Sequence, residues 1–389
     1  MEEHEDFPND LLVKIFVRVP YPEILKVRLL STEWNRNFRT LVSQACHTWP
    51  TYCPLFTVTV MSRSVRRRIG DTSTLYKIGY DCAEGHFRLL GQINRSKGRA
   101  YTRSYSSRCG ALLVRVVFQK HRALATVINQ VTCQRNRVWF SNLEVGWVQP
   151  MVFSVGADHY EIVICHYSRI SPVKFSVTVY KSVSKDHTTR SFIFERDFNE
   201  WFSPDRIFAY DDGVLYLPKP FFRDFEAIQV LQLNMKNGAM NEITVGPFSY
   251  PTCTELAVLL CGSRVMCVLV DRAYEQTIAS VYHVVPVSSE SILLSTWQIE
   301  HFSIREKVDK IRFASNRSSI FITECNIPVN RGSEFREWTF NFRSRTVCYD
   351  VDANILTSID TPFCQYSSKE RLEVESCVFE PGLNPLASP

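Results

Sequence analysis

The 389-residue sequence lacks the short motifs by which many enzymes hold and activate substrates. It contains no GxSxG elbow, no P-loop, no GxGxxG turn and no HExxH helix. Its nine histidines are dispersed, and His159 and His166, which flank a strand-like run, are interpreted as surface or hydrogen-bonded side chains rather than ligands. We therefore predict a chain without a catalytic site, metal site or cofactor.

Paired cysteines are also missing. The thirteen cysteines are scattered and odd in number, and none forms the CxxC pair that zinc frameworks use. Cys261 and Cys267, the closest two, are expected on neighbouring strands as small buried residues. The pattern indicates reduced thiols, and so a protein of the cytoplasm and/or nucleus.

Long apolar runs are absent as well, so no membrane partner is expected. The longest candidate, 256–270, is interrupted by Gly262, Ser263 and Arg264, which predicts two strands and a turn. The N-terminal MEEHED is acidic, whereas a secretory signal begins with basic residues.

What the sequence does contain is a helical pattern over residues 7–43. Apolar residues recur at helical spacing from Leu11 to Val19, Pro20 and Pro22 interrupt them, and a second apolar strip covers 24–30. Ser31 or Thr32 can cap a third helix. Such a short segment cannot bury all its apolar side chains, so it either packs as an ordinary helical hairpin on the rest of the chain or needs a second surface.

The segment resembles an F-box of the plant type. Its sequence FPNDLLVKIFVRVPYPEILKVRLLSTEW follows the family pattern without a gap, departing at Phe7, where the family has Leu, and at Thr32, where it usually has Lys. The resemblance implies docking on the Skp adaptor of a ubiquitin ligase. It assigns this docking to Phe7, Pro8, Leu11, Leu12, Ile15, Phe16, Val19, Pro20, Leu25, Val27, Leu30 and Trp34.

After about residue 50 the pattern changes to short β-rich runs separated by turn residues. We predict strands at 55–60, 112–118, 161–165, 175–180, 214–217 and 319–323. Because no long helix intervenes, the sequence predicts an all-β domain.

A longer pattern, a strand, a polar turn and a second strand, recurs in this region. Its anchors are Phe140, Tyr180, Leu231, Tyr282 and Tyr349, and a strand pair precedes most of them. Units of about 50 residues with four strands are the size of a propeller blade, and five anchors plus 50–100 suggest about six blades. Stacked sandwiches are the alternative.

The repeats resemble the kelch-like domain of plant F-box proteins. DGVLY at 212–216 and TVCYD at 346–350 are the clearest matches, although the Gly-Gly doublet of kelch blades is missing. We predict an F-box at 1–45, a linker at 46–56, one kelch-like β-propeller at 57–380 and a disordered tail at 381–389.

Charge is concentrated in one stretch. Residues 61–140 contain 16 Lys and Arg against 3 Asp and Glu, within a chain of net charge +5. Such a field can attract an acidic or phosphorylated partner, act in nuclear import, or consist only of solvated loop positions. A substrate patch is predicted at Arg66, Arg67, Arg68, Arg99 and Arg103. Nucleic acid is not expected, because no RNA-binding motif accompanies the charge.

Together these features predict a substrate-recognition subunit of a Skp–cullin–F-box E3 ubiquitin ligase. It would bind the adaptor through the F-box, a cullin through the adaptor, and an unidentified protein substrate through the propeller. The alternatives are a sugar-binding or enzymatic propeller without a ligase role, and a scaffold whose F-box works outside a ligase.

Overall fold

The structure is a computed structural model. It describes residues 9–19, 21, 23–45, 52–61, 72–81, 86–96, 104–109, 112–119, 122–132, 134–143, 148–154, 159–167, 173–194, 208–218, 227–247, 253–272, 277–285, 290–299, 310–316, 318–326, 329–331, 338–360, 364–367 and 371–379.

Three short helices, here called the helical module, open the described chain. They are α1 (Asn9–Phe16), a 3₁₀ helix (Glu23–Leu29) and α2 (Thr32–Ala45). The cap of α2 is Ser31, whose Oγ accepts a hydrogen bond from the backbone N–H of Trp34 over 3.1 Å. No helix in the described ranges combines the length and the hydropathy required to cross a bilayer.

The rest of the described chain is made of strands. In chain order they are β1 (Tyr52–Met61), β2 (Thr72–Asp81), β3 (His86–Ser96), β4 (Ser104–Cys109), β5 (Leu112–Gln119), β6 (Arg122–Asn129), β7 (Arg135–Phe140), β8 (Val148–Ser154), β9 (Tyr160–Tyr167), β10 (Val173–Lys181), β11 (Asp186–Phe194), β12 (Ala209–Asp211), β13 (Val214–Pro218), β14 (Ala227–Asn234), β15 (Met240–Pro247), β16 (Cys253–Cys261), β17 (Arg264–Arg272), β18 (Thr277–Val285), β19 (Glu290–Ile299), β20 (Lys310–Ser315), β21 (Ser319–Asn326), β22 (Val329–Arg331), β23 (Trp338–Asp350), β24 (Ile355–Asp360), β25 (Cys364–Ser367) and β26 (Arg371–Phe379).

These strands form six antiparallel sheets, which we number as blades. Blade 1 has the order β26-β1-β2-β3, and blades 2 to 5 are β4–β7, β8–β11, β12–β15 and β16–β19. Blade 6 has the order β20-β21-β23-β24, with β22 and β25 paired to the long strand β23. Each predicted strand lies inside an observed one, and 256–270 forms β16, a turn and β17, as expected.

The blades follow one another in a ring. The first strands of blades 2 and 3 contact each other, as do those of blades 4 and 5 and of blades 5 and 6, and β26 contacts both β4 and β20. Blades 3 and 4 share one apolar core, to which Phe175 and Leu215 belong. Strand β26, near the C-terminus, pairs with β1, with Tyr52 opposite Phe379 and Met61 opposite Arg371. This pairing closes the ring and leaves fewer open strand edges.

The predicted fold class, helices followed by an all-β propeller of about six blades, is therefore confirmed, and the order of the sheets is not that of stacked sandwiches. One repeat assignment needs correction: Phe140 ends β7, and the next strand, β8, belongs to the following blade. The equivalent hairpin of blade 2 is β6–β7, which turns at 129–134. Strand β1 begins at Tyr52, inside the segment 46–56 that was predicted as a linker. The predicted tail at 381–389 lies outside the described residues.

Candidate docking surface

Four large apolar side chains of the helical module are open to solvent. Leu11 and Ile15 are 43% and 51% exposed, and they lie four residues apart on one face of α1. Leu29 and Leu30, where the 3₁₀ helix ends, are 85% and 63% exposed. Single exposed apolar residues are common on protein surfaces, but four exposed on such a small module make the module a candidate for contact with a partner. We call these four residues the docking surface.

The other predicted docking residues lie at several depths. Leu12, Phe16, Val19, Leu25 and Trp34 are half-buried. The rings of Phe16 and Trp34 meet edge to face with centroids 4.7 Å apart, which ties α1 to α2. Val27 is buried in the module core. Phe7, Pro8 and Pro20 lie outside the described residues, so their role stays a prediction.

Leu29 is the docking-surface residue that the sequence pattern did not assign. The 3₁₀ helix of seven residues holds four apolar residues and Leu30 follows it directly, which is more than one face can bury. Ile24 and Val27 take the inner positions, and this leaves Leu29 and Leu30 outside. A count of apolar residues against inner positions shows that part of the strip 24–30 must be exposed, but it does not select Leu29.

The core below the docking surface contains one residue from the propeller. Its buried members are Tyr21, Ile24, Val27, Phe38, Leu41, Val42, Ala45 and Val131. Val131 belongs to the β6–β7 turn of blade 2 and has no exposed area, although it is far from the module in sequence. The helical module is therefore seated on blade 2, so both interpretations of the segment 7–43 hold in part: it packs on the chain and still leaves apolar side chains exposed.

Arg28 joins the same two parts through polar contacts. Its guanidinium donates one hydrogen bond to Asn35 Oδ1 and one to the carbonyl oxygen of Thr132, both over 3.1 Å. The guanidinium carbon also lies 5.1 Å from the centre of the Phe38 ring, within cation–π distance. Arg28 thus links the 3₁₀ helix, α2 and blade 2.

The β6–β7 turn is held in shape by Asn129. The Oδ1 of this fully buried side chain accepts hydrogen bonds from the backbone N–H groups of Val131 and Thr132, over 2.9 and 3.0 Å. The backbone N–H of Asn129 in turn donates to the carbonyl oxygen of Gln134 over 3.0 Å. A side chain that bonds its own turn in this way fixes the turn backbone, and so fixes where Val131 points.

The predicted basic patch falls on a different part of the chain. Arg66, Arg67, Arg68, Arg99 and Arg103 all lie outside the described residues. Its role stays a prediction.

His166 and Asp350 make local contacts in the described part of the propeller. No three His, Cys, Asp or Glu side chains converge there as metal ligands. His166 is buried, and its Nε2 lies 3.2 Å from Thr178 Oγ1. Asp350 Oδ1 accepts hydrogen bonds from the backbone N–H groups of Asp352 and Ala353, as a short carboxylate in a turn does.

Cys261 and Cys267 are placed as the sequence predicts. Cys261 lies on β16 and Cys267 on the neighbouring β17, and both are buried. Burial raises the pKa of the Cys261 thiol to about 12. Burial likewise holds the pKa of the Cys165 thiol well above its ordinary value. Thiols with raised pKa values are poor nucleophiles at neutral pH.

Comparison with known protein families gives one match. The model of the F-box domain matches residues 5–43, the segment that forms the helical module. Comparison with curated proteins gave no match.

Solved structures similar to this chain include several with very low sequence identity. TolB from Acinetobacter baumannii is 11% identical, covers 84% of this chain and 66% of its own, and has a TM-score of 0.39. An apocarotenoid oxygenase from Synechocystis is 7% identical, with coverage of 84% and 92% and a TM-score of 0.38. The β-propeller domain of the Trilobed protease from Pyrococcus furiosus is 9% identical, with coverage of 71% and 98% and a TM-score of 0.35. TM-scores this low support no argument about how the blades are arranged. The order of the blades given above therefore comes from the strand pairing alone.

Proposed function

We propose that this chain is the substrate-recognition subunit of a Skp–cullin–F-box E3 ubiquitin ligase. The helical module binds a Skp-family adaptor, the adaptor brings a cullin, and the propeller holds a protein substrate. In this proposal the chain performs no catalysis, because its partner subunits transfer ubiquitin. It works in the cytoplasm and/or nucleus, where buried thiols such as Cys165 and Cys261 stay reduced.

The observation that carries the proposal is the exposure of Leu29 and Leu30 within a segment that matches the F-box domain. These side chains stand on a packed core, so they are presented on a formed surface. Burying apolar area contributes roughly 25 cal/mol per Å². A partner that covers the docking surface would gain this free energy without first having to order the module.

The finer family assignment, a plant-type F-box with a kelch-like propeller, is part of the same proposal. It is supported by the turn at Asp212 and Gly213, where the family pattern has Asp-Gly. Both residues have positive φ, 41° and 81°, as a tight hairpin between β12 and β13 requires. The rigid ring would then present loops that differ among family members.

Calorimetry with the purified full chain and a purified Skp-family adaptor tests the first step. We expect binding at micromolar concentration, and a loss of tenfold or more, about 1.4 kcal/mol, in the double variant Leu29→Asp, Leu30→Asp. Val183→Asp is the matched control: Val183 is 73% exposed in the β10–β11 turn of blade 3 and should have no effect. If the wild type does not bind, or if both variants bind equally well, the proposal is wrong.

A second experiment separates a ligase subunit from a scaffold or a sugar-binding propeller. The chain is purified from cells with and without the Leu29→Asp, Leu30→Asp change. Copurification of a cullin with the wild type alone supports the ligase role. Binding of the adaptor without a cullin would favour a scaffold that works outside a ligase.

A further inference from the structure

The β6–β7 turn of blade 2 contributes one buried residue to the core of the helical module. Val131 is fully buried among Ile24, Val27 and Leu41, and no other propeller residue belongs to this core within the described part of the chain. A module of three short helices buries little surface alone. Val131 is one of eight buried residues in this core, so shortening it should measurably lower the stability of the module.

Polar contacts also join the helical module to the β6–β7 turn. Arg28 binds the Thr132 carbonyl oxygen and also stacks on Phe38, which lies in the module core. Asn129 fixes the turn that carries both Val131 and Thr132. Among the described residues this contact joins one turn to the 3₁₀ helix and α2 through few side chains, so single substitutions should be enough to weaken it.

We propose that this turn is a structural part of the docking module, and that helix α2 and the turn open and close together. The propeller then completes the fold of the F-box. Binding at the docking surface is coupled to the turn, although Val131 itself is hidden from any adaptor. The joint opening of α2 and the turn is a property of the free chain, whereas the coupling to adaptor binding rests on the proposed function.

Amide hydrogen exchange of the full chain, measured without any adaptor, tests the first statement. Val131→Ala removes two buried methyl groups, and we expect the protection of the α2 amides to fall roughly tenfold or more. Val183→Ala is the matched control, since Val183 lies in the corresponding turn of blade 3 but is 73% exposed. It should leave α2 unchanged.

A second variant reaches the same contact without shortening any apolar side chain of the module core. Asn129→Ala removes the acceptor of two turn N–H groups, and we expect it to lower protection in α2 as well as in the turn. Amides of β17 in blade 5 report whether the ring itself has lost stability. A loss in α2 with unchanged β17 supports the proposal. Unchanged α2 protection in both variants would overturn it.

Addition of a purified Skp-family adaptor tests the coupling. Coupling free energies are reciprocal, so adaptor binding should slow exchange of the Val131 and Thr132 amides. If the adaptor binds and these amides do not respond, the coupling is wrong. If the adaptor does not bind while Val131→Ala still loosens α2, the proposed function fails and the shared folding unit stands.

Discussion

Val27 and Leu29 lie two residues apart on one 3₁₀ helix and have opposite surroundings. Val27 is 5% exposed and packs with Phe38 and Val131, whereas Leu29 is 85% exposed. Because successive residues of a helix point to different sides, the same short strip supplies both a core residue and a docking residue. Stability and binding can therefore be changed separately.

Exchanging each of these residues for alanine should separate the two effects. Val27→Ala should lower the free energy of opening the module by about 1–2 kcal/mol, because a buried side chain is shortened. Leu29→Ala should leave that free energy within about 0.5 kcal/mol, as surface changes generally do, and should weaken adaptor binding instead. Hydrogen exchange of α2 and calorimetry with the adaptor measure the two quantities. Equal effects of both variants on opening would contradict the structure.

The burial of the helical-module residues shows which parts of the site could be predicted from the sequence. Helical spacing and Ser31 located the helices because local propensities and caps determine them. The contact with Val131 could not be predicted, since it depends on how the module is placed against the ring. A valine in a strand-to-strand turn can be buried, as Val131 is, or exposed, as Val183 is, and the helices that cover Val131 are distant in sequence.

The propeller likewise has features that the local sequence predicts and features that it does not. Runs of β-favouring residues bounded by turn residues predicted strands at six places, each inside an observed strand, and the recurring unit of about 50 residues predicted about six blades. The pairing of β26 with β1 joins the two ends of the propeller and has no local signature. The assignment around Phe140 was wrong because a strand, a turn and a strand look alike within a blade and between blades.

Arg28 should be hard to replace, even by lysine. Arg28→Lys keeps the charge but loses the planar group that reaches both Asn35 and Thr132, and we expect the module to lose about 1 kcal/mol. Arg36→Lys on the exposed side of α2 is the control and should change nothing measurable. Exchange of the α2 amides measures both. A lysine variant that equals the wild type would mean that the contact with Thr132 carries no free energy.

A substitution of Thr132, in the β6–β7 turn that Arg28 contacts, should stabilise the module. The Thr132 Oγ1 is buried and has no hydrogen-bond partner among the residues that the structure describes, which costs free energy. Thr132→Val keeps the shape and the carbonyl that Arg28 binds, and it should stabilise the module by about 1 kcal/mol. Thr188→Val on the exposed part of β11 should not. Faster exchange in α2 of the Thr132→Val chain would show that the hydroxyl has a partner.

High pH should destabilise the propeller partly through Tyr160. This side chain is 1% exposed at the start of β9, and its burial raises the pKa of Tyr160 from 10.0 to about 12. Below pH 10 the phenol is neutral in both the folded and the unfolded chain, so its contribution is constant. Between pH 10 and 12 only the unfolded chain ionises freely, and the folded chain should lose about 2 kcal/mol of stability there. Tyr160→Phe removes this titration, so denaturant unfolding at pH 9 and pH 12 should show a smaller loss for the variant than for the wild type. Equal losses in the two proteins would mean that the phenol ionises inside the folded blade near its ordinary pKa.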